Sequence, residues 1–404
     1  MSRAPVRAAL KVGQGAVVVA AKLIRLEMRL ARALLAAVFA VLPCLANAAI
    51  LPEDRADVMY HGYDGGGLEV DGPSVLVRKG FNDKVSVWGN YYVDMISSAS
   101  IDVVATASPY EETRHEYSGG IDYLSGKTMM GFAYIRSEED DYLANTARFG
   151  ISQDFFGDLT TLGISYARGW NDVMKNGDPT FKEHTKRQDW RVDLSQIITP
   201  NLVMNFGYEG ISDDGYLHDP YRSARYLDPS SAKGYSYEAE VTPGTKTSSA
   251  WAVRGMYYLP YRASARAEYR YYTDTWGVEG WNMEFGYVQP LSYGVTLDLN
   301  YRYYTQGTAD FYSDLYPRQD SQNFLSRDKE LSDFSSNSIG IGLTYAFGAN
   351  LVPYFKRGEF SLFADYIQFS YEDFRDVLKG GSPGDEPLYK MDSTVIRAFV
   401  SFWY

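Results

Sequence analysis

Apolar and polar residues alternate with a period of two along most of this chain. Between Val278 and Tyr304 two such runs are joined by the short connection Pro290-Leu291-Ser292-Tyr293. In the second run Val295, Leu297, Leu299, Tyr301 and Tyr303 project to one side, and Thr296, Asp298, Asn300, Arg302 and Tyr304 to the other, which is the repeat of a β-strand. The first run sets Trp281, Met283, Phe285 and Tyr287 against Asn282, Glu284 and Gly286. Aromatic rings stand near both ends of the apolar stripe, and ionised groups occupy the middle of the polar one. A soluble sandwich seldom builds strands this long and this rich in tyrosine. A barrel with lipid outside, water inside and aromatic girdles at both interfaces requires both features.

The same alternation recurs at Val85, Val87, Tyr91 and Val93, at Trp190, Val192, Leu194 and Ile198, and at Leu202, Met204, Phe206 and Tyr208. It returns at Trp251, Val253, Tyr257 and Leu259, at Ala265, Ala267, Tyr269 and Tyr271, and at Ile339, Ile341, Leu343, Tyr345 and Phe347. Short turns are expected near Phe81-Asn82, Ser125-Gly126, Phe156-Gly157, Pro200, Pro260, Leu291-Ser292 and 348–357. Longer or more polar links are expected near 64–67, 98–112, 138–142, 171–184, 214–245, 275–278, 307–334 and 373–389. These connections give an all-β fold, a transmembrane antiparallel up-and-down barrel of about sixteen strands, with fourteen to eighteen as the bracket. Short turns face the periplasm in bacterial barrels, so the parity puts both termini there.

Composition changes the picture in one respect. The chain holds 35 Tyr, 20 Phe and 7 Trp in 404 residues, yet its mean hydropathy is −0.30. After about residue 50 no run approaches the roughly 18 consecutive apolar residues of a membrane helix. A spanning structure must therefore be made of strands closed on themselves, which leave no backbone group unpaired in lipid.

The N-terminal stretch reads as an export signal. Arg29 and Arg32 precede an apolar run over 33–45, and Ala46-Asn47-Ala48 supplies the small-residue cleavage pattern before Ala49. Residues 1–48 are then a signal peptide, with either an extended basic start or Met28 as the true initiator, and 49–404 form one barrel domain. Cys44 is the single cysteine and lies inside the signal, so the mature chain excludes disulfides, thiol catalysis and cysteine-based metal sites. Removing 1–48 takes away seven basic residues and one acid, so the net charge of −12 becomes −18. Nucleic acid is excluded as a partner on that balance.

Several segments resemble one family. These are Ala56-Asp57-Val58-Met59-Tyr60-His61 with Tyr63-Asp64-Gly65-Gly66-Gly67, Asn90-Tyr91-Tyr92-Val93-Asp94, Gly150-Ile151-Ser152-Gln153-Asp154-Phe155-Phe156-Gly157-Asp158, and Asp310-Phe311-Tyr312-Ser313-Asp314-Leu315. They are similar to the proteobacterial family called domain of unknown function 3570, over roughly 50–404. The resemblance implies a barrel in the bacterial outer membrane and brings no activity with it.

Candidate functional residues lie on the polar faces. Arg191, Asp193, Arg266, Glu268, Arg270, Glu284, Asp298 and Arg302 fall opposite apolar stripes and should line the lumen. There they either knit a structural network or form a selectivity lining. The last strand closes on Phe402, Trp403 and Tyr404, resembling the terminal signal read by barrel-assembly machinery. His61, His115, His184 and His218 read as surface or rim residues, without the i,i+4 spacing of a helical metal site. The acidic runs Glu138-Glu139-Asp140-Asp141 and Asp213-Asp214 read as solvated turns. No G-x-S-x-G elbow occurs, and His115 with Ser97, Ser98 or Ser100 is the one conceivable catalytic pairing. Neither an enzyme nor a bound metal or cofactor is expected. The expected partners are outer-membrane lipid and lipopolysaccharide, the assembly machinery, and a periplasmic protein if the barrel serves a larger system. The function expected is a channel or the membrane part of an export or surface system. The alternatives are a non-conducting scaffold and, third, a barrel-embedded enzyme.

Overall fold

A computed structural model of the chain describes residues 50–98, 100–101, 105, 110–348 and 354–404. The signal peptide expected at 1–48 lies outside the described residues. The wall begins with β1 (Arg55–Gly65), β2 (Leu68–Phe81), β3 (Val85–Ser98), β4 (Tyr110–Ser125) and β5 (Thr128–Glu138). It continues through β6 (Tyr142–Phe155), β7 (Thr160–Met174), β8 (Lys182–Thr199) and β9 (Leu202–Gly215). A separate hairpin follows, β10 (Ser223–Leu227) with β11 (Tyr235–Ala239). The wall resumes with β12 (Thr245–Tyr258), β13 (Ser264–Asp274), β14 (Glu279–Pro290) and β15 (Val295–Gln306). It ends with β16 (Phe334–Gly348), β17 (Arg357–Arg375) and β18 (Leu388–Trp403).

Each wall strand pairs antiparallel with its neighbours, and β1 closes on β18 with Arg55 opposite Trp403. This is the sixteen-strand barrel expected from the alternation, and the two runs around 290–293 are β14 and β15 in register. Closure leaves the sheet without a free edge. The odd-numbered stripe of β14 to β16 points outward and stays uncovered: Phe285 is 51% exposed, Leu343 47% and Ile339 65%. A continuous apolar band of this kind is untenable in water and is what a lipid-facing wall requires.

Turn chemistry fixes the tight reversals at both ends of the wall. Gly66 and Gly67 both have positive φ between β1 and β2, as a two-residue hairpin twisting with its strands demands. At the opposite end Asn82 and Asp83 adopt positive φ between β2 and β3, a conformation that these side chains tolerate. Strands of 18 residues in β8 and 19 in β17 exceed the roughly 9–11 needed to span a bilayer. Their surplus carries the wall beyond the apolar belt on the side of the long connections.

The long connections are not loose. Two of them, over 214–245 and 307–334, were expected as long polar links. They pack on each other: Tyr316 is 2% exposed and clusters with Ala224 and Leu325. Isolated bridges join Tyr226 to Tyr316, Val241 to Leu325 and Tyr312 to Ser326. A second cluster, Trp276, Val278, Ala309, Phe311 and Leu331, fastens the same segment to the β13–β14 connection.

Candidate functional site

The site is built in two tiers, a charged inner wall and a chamber under the packed connections. On the wall, side chains opposite the lipid stripe reach sideways over small residues of intervening strands. Arg270 on β13 donates to Glu209 on β9 at 3.1 Å, crossing β12 where Ala250 and Ala252 sit in register. Arg191 on β8 binds the other oxygen of Glu209. Arg266 approaches Glu284 at 3.5 Å and Asp298 at 3.4 Å, and it lies over Gly286, where a β-carbon would overlap it. Gly340 likewise leaves room for Asn300 to reach Asp365 across β16, and Asp365 also accepts from Arg397 at 2.6 Å.

Of the residues expected in the lumen, Arg191, Arg270, Arg266, Glu284 and Asp298 are thus brought into pairs. Glu268 instead pairs with Arg254, whose Nε lies 2.6 Å away. Asp193 has no ion-pair partner among the described residues. Arg302 stands opposite Glu284 in register, with its guanidinium 5.5 Å from the Tyr304 ring centre. The sequence reading missed Glu209, Arg254, Asp365 and Arg397. The signal was present, because each alternates with an apolar neighbour.

His61 requires a correction, since it is not a rim residue. It is 9% exposed on the inner face of β1, where Nε2 lies 2.7 Å from Asp94 and 2.9 Å from the Tyr92 hydroxyl. Tyr92 stacks on the imidazole at 4.7 Å. Gly72 stands opposite His61 in register, and a side chain there would strike the β3 backbone at Val93.

The chamber encloses about 1090 Å³ at the long-connection end. It reaches from Tyr63 and Met391 on one side of the wall to Arg187 and Asp213 on the other, under a roof that includes Tyr221, Arg222 and Glu240. The roof is locked by Arg225, whose side chain is wholly buried. It binds Asp314 at 2.6 Å and Glu386 at 2.5 Å, and lies 4.9 Å from the Tyr235 ring centre. Arg327 adds a second pair to Asp314 at 2.8 Å and packs over Phe374 at 4.2 Å. Three connections, 216–244, 307–333 and 376–387, therefore meet at one buried ionic centre.

Electrostatics inside the roof are mixed. Burial alone would raise the Glu386 carboxyl, but hydrogen bonds from Arg225 and from backbone amides, with the Arg225 charge, hold it below the ordinary range. Burial pushes the Glu240 carboxyl up to about 7, against the hydrogen bond from Ser326. Burial also lowers the His218 imidazole, which lies 3.9 Å from the Tyr216 ring.

The acidic turn at 138–141 is likewise more organised than a solvated turn. Glu139 and Asp141 gather with Glu112 so that their oxygens lie within 4.8 Å of one another. The Asp140 amide donates to Glu112 at 3.3 Å, and the Tyr221 hydroxyl donates to Asp141. Such oxygens suit a hard divalent cation. They also give the chamber a wall of three carboxyl groups.

No curated protein sequence matches this chain. The pattern of a family described as Protein of unknown function (DUF3570) matches residues 99–370. Among solved structures, the chain is similar to a bacterial polysaccharide outer membrane secretin at 9% identity and a TM-score of 0.46, covering 88% of this chain and 100% of that one. CdiB from Acinetobacter baumannii is similar at 9% identity and 0.45, covering 86% and 60%. The outer-membrane expressed OmpT of Vibrio cholerae is similar at 10% identity and 0.42, covering 88% and 100%.

Proposed function

The chain belongs to the DUF3570 family of proteins of unknown function, and from that premise we propose that it is an outer-membrane channel whose external mouth is a roofed chamber for a small polar solute. The signal at 1–48 would send the chain across the inner membrane, and assembly would leave both termini in the periplasm. The long connections then face outward, with the chamber as the first compartment a solute meets and the paired charges below it as the path.

The observation that carries this reading is the chamber of about 1090 Å³, a volume just above the roughly 300–1,000 Å³ of small-molecule sites. A wall built only for stiffness would gain nothing from a cavity at its mouth. Tyr142, Tyr216, Tyr221 and Tyr237 line it beside carboxylates and basic groups, a mixture suited to polyhydroxylated or zwitterionic solutes. The scaffold reading draws on a different observation, the lateral pairing of Arg270, Glu209 and Arg191, which would stiffen a wall that conducts nothing.

Single-channel recording of the refolded protein in a planar bilayer separates the two. A channel gives discrete conductance steps that grow when Arg225→Ala releases the roof. Silence from both proteins, each shown to be folded by heat-modifiable migration, discards the channel and leaves the scaffold.

A further inference from the structure

The outward face of the long-connection rim is not electrically uniform. At outward-facing strand positions of that rim, the described basic residues are Arg136 on β5, Arg168 on β7, Lys182 and Lys186 on β8, and Lys390 on β18. All but the last fall within β5 to β8, with Glu138 and Asp172 among them, while exposed acids such as Asp64, Glu69, Glu279 and Glu372 mark other parts of the rim.

Within this basic quarter, Arg136 pairs with Glu138, and Lys182 with Asp172 at 3.3 Å. Arg168 and Lys186 are exposed and have no hydrogen bond or ion pair among the described residues. Asp214 stands opposite Lys186 in register without pairing to it. The β7–β8 register sets Trp170 opposite Lys186, Arg168 opposite Gln188, and Tyr166 opposite Trp190. Arg168 and Lys186 are therefore diagonal neighbours on one face, roughly 7–8 Å apart along the sheet. That gap is one a single phosphate can bridge. Trp170 and Trp190, 42% and 44% exposed, lie beside and below them, where amphipathic rings mark the junction between headgroups and acyl chains.

We propose that the outward face of β5–β8 binds a phosphorylated glycolipid of the outer leaflet, with Arg168 and Lys186 holding one phosphate and the Trp170 and Trp190 rings lying against its sugar and upper acyl chains. The proposal rests on the outer-membrane placement and outward orientation given above. Charge complementarity selects the occupant, because a guanidinium and an ammonium side by side favour a doubly charged phosphate over a zwitterionic headgroup. The aromatic pair beneath favours a lipid over a free anion.

The test uses the full mature chain refolded in detergent micelles. It is titrated with lipid A carrying its phosphates, with dephosphorylated lipid A, and with phosphatidylglycerol, and the complexes are followed by native mass spectrometry. Phosphorylated lipid A should bind best. The Arg168→Ser/Lys186→Ser double variant should bind it about thirtyfold more weakly, while Lys390→Ser should bind like the unaltered protein. If the double variant loses heat-modifiable migration, Arg168→Gln/Lys186→Gln takes its place. Equal affinity in the double variant, or equal binding of dephosphorylated lipid A or of phosphatidylglycerol, overturns the proposal. Fractionation of cells keeps the two readings apart: a barrel found in the outer membrane that fails this titration loses the glycolipid site alone, whereas a soluble periplasmic protein removes the placement beneath it.

Discussion

Arg225 and Glu386 stand 161 positions apart in the chain, yet their side chains meet in a buried fork, with Nη1 2.5 Å from one carboxylate oxygen and Nη2 3.3 Å from the other. The pair ties the β10–β11 hairpin to the last connection, and Asp314 ties both to the segment between β15 and β16. Removing one member of such a centre leaves uncompensated buried charge, at a cost of about 3–5 kcal/mol. Arg225→Ala should therefore open the roof while the barrel, closed through β1 and β18, stays intact. Limited proteolysis should show faster cleavage within 307–333 with heat-modifiable migration retained. Unchanged protection would mean that the hydrophobic clusters hold the roof without the ionic centre.

The roof should also respond to pH in two opposite ways. The Glu386 carboxyl is depressed in the folded state, so its contribution is present above the unfolded value of 4.5 and is lost as pH falls through the lower folded value. Glu240 is raised to about 7, so the folded state holds its proton longer and roof stability declines as pH rises from 4.5 to about 7. Hydrogen exchange of the roof amides across roughly pH 3–8 should show greatest protection near 4.5, the unfolded value that the two carboxyls share. Glu240→Gln should abolish the decline on the alkaline side, a gain on the order of 2–3 kcal/mol. A Gln variant with the same pH profile as the parent would remove Glu240 as the cause.

In the lumen, replacing Arg266 and Arg270 by Ser should shift ion selectivity toward cations. Glu209 keeps its bond to Arg191 after the change, while Glu284 and Asp298 lose Arg266. The fold should survive, because these groups are wetted rather than dry. Tyr269 on the opposite face is different: Lys in its place near the midplane should cost about 2–4 kcal/mol. Reversal potential and melting temperature on the double variant check the point, and a stable variant with an unchanged reversal potential takes these residues out of the conducting path.

The last strand gives a prediction about assembly. Phe402 lies opposite Ala56, Trp403 opposite Arg55, and the Tyr404 hydroxyl donates to the Arg78 carbonyl at 2.9 Å. Deleting Phe402 to Tyr404 should remove the last two of the eleven register pairs that close the barrel, together with the terminal aromatic segment expected to be read during insertion. Outer-membrane yield should fall severalfold, measured against a Tyr404→Phe control that loses only the hydroxyl. Equal yields would assign the segment no role in insertion.

Orientation follows from the connections. The mature chain is expected to lack cysteine, so single cysteines report cleanly. Lys233→Cys and Arg318→Cys, on exposed parts of the roof, should react with an impermeant thiol reagent on intact cells, and Gly126→Cys and Ser292→Cys should not. The reverse pattern would turn the barrel over.

What the sequence determined by itself was everything carried by a local repeat. Alternation at 281–287 and 295–303 placed each side chain inside or outside, and turn residues such as Gly66-Gly67 and Asn82 marked where strands reverse. Counting those reversals supplied the strand number, because in an up-and-down barrel every wall strand but the closing pair neighbours in space the wall strands next to it in sequence. The inner pairs were half legible. Arg266 could be assigned to the polar face, but its partners depended on the empty space at Gly286 and on reach across a strand. Glu209 was overlooked because nothing local distinguishes it from other alternating polar residues. Only the tertiary structure decided the roof: that Arg225 would meet Asp314 and Glu386, that Glu112 would join Glu139 and Asp141, and that His61 would be buried against Asp94. These contacts join segments tens to more than a hundred residues apart, through irregular backbone or across strands. No periodicity specifies them, and they are fixed by how volume and charge are satisfied once the barrel has closed.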